Sequence, residues 1–144
     1  VPAGKSDLVF EVIREARLVV SCQTKFNPSD SEWDVWLSAA SDVERQHGRL
    51  KLLVVTEGGH PTKAQLERLK AVNKSNPPTA IVSNSLALRF LGTALTFINP
   101  TIRCFSPAQL DEAFQHIGLL PDEQPLARAS MQALKRKLTM SVAV

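Results

Sequence analysis

The chain of 144 residues is long enough for one domain with a sizeable core. Its 44% hydrophobic and 22% charged residues are those of a soluble globular protein and exclude a disordered or fibrous one. No apolar run reaches the length of a membrane span, and a formal charge of +3 gives no broad nucleic-acid surface.

Arg128, Lys135, Arg136 and Lys137 stand against Asp122 and Glu123 in the last segment, so the part before Pro121 is nearly neutral. His47, His60 and His116 are scattered and make no metal spacing with Cys22 and Cys104. Neither a metal nor a cofactor is implied. Both cysteines lie in apolar, strand-like runs and read as buried thiols. With no basic-then-apolar leader in view, the cytoplasm is the expected compartment. The chain opens Val1-Pro2 without Met and reads as a processed or excised piece of a longer protein.

Leu8 to Ile13 and Leu18 to Cys22 are apolar and β-branched, and Arg14 to Arg17 alone separate them. They predict an antiparallel hairpin. Ser29 and Glu32 have the spacing of a capping box. Behind them Trp33, Trp36, Leu37, Ala40 and Val43 form one helical stripe that Gly48 ends. Leu50 to Val55 reads as a central strand buried on both faces. After Gly58-Gly59, Thr62 is the expected cap of a helix running to about Asn73, with Leu66, Leu69 and Val72 inward.

Thr79 to Ser83 is a short buried strand. Asn84 or Ser85 then caps a helix from Leu86 to Ile98 that is apolar nearly all round, so it should be heavily buried or cover a partner. Ile102 to Phe105 is a further strand. Ser106-Pro107 starts the next helix, with Leu110, Ala113, Phe114 and Ile117 inward and Gly118 at its end. The order β-β-α-β-α-β-α-β-α predicts an α/β fold with a mixed sheet of about five strands flanked by helices. Residues 1–120 read as the domain. Residues 121–144 read as a separate amphipathic, basic tail or linker helix carrying Leu126, Ala129, Ala133, Leu134 and Leu138.

Function in open α/β sheets gathers at the C-terminal ends of strands. The candidate binding residues are therefore Thr56, Glu57, Gly58, Gly59, His60, Thr62 and Lys63 at the central turn. Asn84, Ser85 and Arg89 join them from the next strand–helix junction. Free N–H groups at a helix start favour an anion or a phosphorylated side chain. There is no dinucleotide or P-loop glycine pattern. For catalysis His60, Glu57 and Thr56 are the candidates, but no third orienting group can be placed with them, so no enzyme is expected.

Several segments together resemble the SpoIIAA-like group of the STAS (sulfate transporter and anti-sigma antagonist) superfamily. They are Glu32-Trp33, Leu53 to Thr62, Thr79 to Ser85, Ile102 to Pro107 and Leu110 to Ala113, and they span most of Leu8–Leu120. The resemblance implies a non-catalytic signalling or scaffolding domain of bacterial type that binds a protein partner and is switched by phosphorylation. The acceptor of that family is a Ser or Thr at the start of the helix after the central strand. Thr62 is nearest to that position, with Thr56 second, although Gly-Gly-His-Pro-Thr replaces the usual Asp-Ser or Ser-Gly context. The alternative function is a small-ligand domain, for an anion or nucleotide at the Gly-Gly turn or a lipid under a movable helix. Self-association through the Leu86–Ile98 helix or the first hairpin's edge is a further reading.

Overall fold

A computed structural model of the chain describes residues 6–72 and 75–143, with the side chains of 89, 90 and 139–143 outside the description. The fold is α/β. Strands β1 (Leu8–Ile13), β2 (Leu18–Gln23), β3 (Lys51–Thr56), β4 (Thr79–Val82) and β5 (Arg103–Phe105) form one mixed sheet in the order β1-β2-β3-β4-β5. β1 is antiparallel to β2, and the rest run parallel. The link between β1 and β2 is a single 3₁₀ turn, Arg14–Ala16, closed by Arg17 in the left-handed region.

Three helices alternate with the parallel strands: α1 (Asp30–His47), α2 (Lys63–Val72) and α3 (Leu86–Leu95). Each crossover steps one strand in the same direction. Right-handed crossovers then place all three helices on one face. The strand side chains agree, alternating with period two. Val19, Leu52 and Ile81 meet α1, α2 and α3, while Leu18, Val20, Leu53, Ala80 and Val82 point to the other face.

That other face is closed by α4 (Leu110–His116) and α5 (Gln124–Ala143). Phe114 and Ile117 cover the β4 side, and Ala127, Met131, Leu134 and Leu138 complete the same core over β1 and β2. The basic helix read in sequence as a tail is thus part of the sheet's second layer. Its apolar stripe has a place to go because consecutive right-handed crossovers leave that face bare.

The caps explain the boundaries. Ser29 and Glu32 form the reciprocal capping box expected for α1, at 3.1 and 3.0 Å, and the Glu32 carboxylate also accepts from the Asp7 and Leu8 amides. α1 therefore buries its five-residue stripe in register with the hairpin. α3 is shorter and wetter than its composition predicts. It ends at Leu95, with Leu88 and Leu95 buried but Leu86 and Phe97 exposed. Its close approach to β5 needs Gly92, where a Cβ would stand 2.5 Å from Cys104 Sγ.

Because α5 closes the core, Leu134→Ala is expected to cost about 2–5 kcal/mol. Urea unfolding measures this. A loss below about 1 kcal/mol would mean that α5 adds little to the domain.

Candidate functional site

Three loops lie side by side at the C-terminal edge of the sheet, in the order of the strands they follow. They are residues 24–29 after β2, 57–62 after β3 and 83–85 after β4. The middle loop is stapled to the first. Glu57 N–H donates to Gln23 O at 3.1 Å and Gly59 N–H to Thr24 O at 2.9 Å. His60 N–H donates to Asn27 Oδ1 at 3.2 Å. Inside the loop, buried Thr56 Oγ1 donates to Gly59 O at 2.7 Å and accepts from Gly58 N–H at 3.1 Å.

Thr62 is the cap of α2. Its Oγ1 accepts from Gln65 N–H at 3.2 Å, and its own N–H donates to Gln65 Oε1 at 3.0 Å, a second reciprocal capping box. Every backbone N–H from Glu57 to Thr62 thus has an acceptor within the chain. The turn is not the open nest that an anion or nucleotide would need. The double glycine has a packing cause instead. A Cβ on Gly59 would run into the Phe26 carbonyl oxygen and come within 2.6 Å of that of Thr24.

The expected site residues therefore divide. Thr56 and Gly59 are buried and structural. Glu57, Lys63 and Asn84 are exposed, and His60, Thr62 and Ser85 are half-buried. His60 Nδ1 lies 2.9 Å from Pro61 O. Ser85 Oγ caps α3 by accepting from Leu88 N–H at 3.3 Å, and it is the atom nearest to a Cβ built on Gly58, at 4.0 Å. The second and third loops are thus neighbours. Arg89 falls in α3, and its side chain lies outside the described residues.

Sequence reasoning missed Phe26, 60% exposed, and did not foresee that Leu86, 69% exposed, stands on the surface. These two large apolar side chains flank the Gly-Gly turn, Phe26 from the loop after β2 and Leu86 from the first turn of α3. Lys25 Nζ lies 5.4 Å from the Phe26 ring centre. Beneath the edge, a groove of about 420 Å³ runs between the strand ends and α5, with Thr56, Glu57 and Asn84 on one side and Lys135 and Leu138 on the other.

Cys22 lies in the wall of this groove but is covered by α5, and its thiol is 4.0 Å from Met131 O. Burial pushes the thiol up from 9.0 to about 11, with the Lys135 charge pulling the other way. This is the setting of an inert thiol rather than a nucleophile. Cys104, the other cysteine, is half-buried against α3. Among the described residues no group of His, Cys, Asp or Glu is arranged to hold a metal, and no helix is long and apolar enough to cross a membrane.

Comparison with known protein families, with curated proteins and with solved structures finds nothing that matches the chain.

Two outcomes follow from this geometry. Gly59→Ala is expected to lower stability by about 2 kcal/mol or more, because the obstacle is backbone and cannot rotate away. A thermal midpoint equal to the wild type would refute the close approach. For Cys22 the folded thiol titrates above the unfolded one, so its stabilising share is complete below about pH 9 and is lost as pH rises towards about 11. The loss is about 1.4 kcal/mol per pH unit at most. Urea unfolding of wild type and Cys22→Ala across that range should give curves that converge at alkaline pH. Parallel curves would contradict the raised thiol.

Proposed function

We propose that the chain is a non-catalytic protein-interaction and regulatory module of STAS type, working in bacterial signalling or assembly. The observation that carries this reading is the pair of exposed apolar side chains at the C-terminal edge of the sheet: Phe26, on a loop hydrogen-bonded to the Gly-Gly turn, and Leu86, at the start of α3 on the turn's other side. Exposed aromatics on a rigid frame, rimmed by charge, are what a protein interface uses as anchors. Glu57, Lys63 and Asn84 supply the polar rim.

Phosphorylation of Thr62 is the proposed switch. A phosphate there adds roughly −1.5 to −2 charges beside this face. It also burdens the Thr62–Gln65 box that starts α2. Binding of an anion or nucleotide at the turn is the weaker reading, since the loop N–H groups from Glu57 to Thr62 are taken and no phosphate-binding glycine pattern precedes α2.

The test is affinity capture from a lysate of the source organism, read by quantitative mass spectrometry. The baits are wild type, Phe26→Ser/Leu86→Ser and Thr62→Glu. One protein should be retained by wild type and fall about tenfold or more on the double variant, as for loss of an interface anchor. Thr62→Glu should lower it as well. Equal recovery on all three baits would remove both the face and the switch.

A further inference from the structure

A cavity of about 80 Å³ lies beneath α2, roofed by Pro61, Leu66 and Leu69 and floored by the sheet. Trp33 and Trp36 of α1 form one wall, stacked with ring centres 4.9 Å apart. No charged side chain lines it among the described residues.

Two of its lining residues carry a buried polar atom without a hydrogen-bond partner. They are Gln23, 5% exposed, whose Oε1 is an unused acceptor, and Trp36, 4% exposed, whose Nε1–H is an unused donor. Neighbouring groups are served: Trp33 Nε1 donates to Gln65 O at 3.0 Å. A buried polar atom left unpaired costs about 1–3 kcal/mol, and such an atom in a native interior calls for an occupant.

The occupant's chemistry follows from the walls. It is neutral, because nothing in the wall would balance a charge. Its body is apolar, to match the leucines and the indole faces. Its polar group both donates and accepts, which a hydroxyl does. The cavity adjoins a groove of about 390 Å³ between α1 and α2, which shares Trp36, Leu52, Leu69 and Pro77. A guest larger than the cavity can extend along it. The lid is held at few points: Gln65 is the one buried residue of α2, Leu66 and Leu69 are half-buried, and an ion pair joins Arg68 to Asp34. The geometry points to this cavity as a binding site for a small neutral alcohol or phenol, entering between α1 and α2.

The protein reports on the site by itself, because both of its 2 tryptophans stand in the wall. Tryptophan emission of the intact chain is followed against benzyl alcohol, toluene and benzoate. Benzyl alcohol should give a saturable change. Toluene should bind about tenfold to a hundredfold more weakly, the worth of two hydrogen bonds, and benzoate should give no response. Leu69→Phe, which fills the cavity from the lid, should abolish the change. Gln23→Leu should narrow the gap between benzyl alcohol and toluene to about threefold to tenfold, the worth of the one remaining hydrogen bond from Trp36, and it keeps the test in force if Leu69→Phe does not fold. No saturable response to benzyl alcohol, or a response that neither substitution alters, would overturn the site and leave the cavity to water.

Discussion

Gln65 is 1% exposed, yet each of its polar groups has a partner. Its amide nitrogen donates to Pro28 O at 2.9 Å and to Asp30 Oδ1 at 3.0 Å. Its amide oxygen accepts from Thr62 N–H, its backbone N–H goes to Thr62 Oγ1, and its carbonyl accepts from Trp33 Nε1. This one residue thereby joins the start of α1 and the start of α2 through its side chain, and the tryptophan wall through its backbone carbonyl. An apolar side chain of the same size would leave buried Pro28 O without this partner, at about 1–3 kcal/mol, and would also free the half-buried Thr62 N–H, a large share of a domain's net stability.

The surroundings depend on that clasp. It fixes the first turn of α2, the point at which the loop after β3 ends. The same loop is tied at its other end by Glu57, Gly59 and His60 to the loop after β2. The part of the edge that bears Phe26 is therefore held in place by local hydrogen bonds. The middle and far end of α2 have less to hold them, and the cavity lies there.

Much of this was legible in the residues. Ser29 and Glu32 announced α1, the Trp33-to-Val43 stripe announced its buried face, and Ser106-Pro107 opened the helical segment before α4. These signals are local, and neighbours in sequence decide them. Thr62 and Gln65 have the same spacing as Ser29 and Glu32, so the second capping box was also readable. What lay beyond reading was that Gln65 would be buried and would reach Pro28 and Asp30, more than thirty residues away. Gly58-Gly59 was read as an opening for a ligand, but Gly59 is required by the Phe26 carbonyl, which reaches it only once β2 and β3 are paired.

By itself the sequence determined the succession of strands and helices, their caps and the side of each helix that turns inward, because periodicity and capping act over a few residues. Tertiary structure decided three further things. The steady strand order bared one face of the sheet and brought α5 into the core as its cover. It left Leu86 and Phe97 outside, where the composition of the segment had called for burial or a partner surface. It also enclosed Gln23 and Trp36 in a cavity where their polar atoms have no partner. Each of these depends on which distant segments share a space, and no local pattern records that.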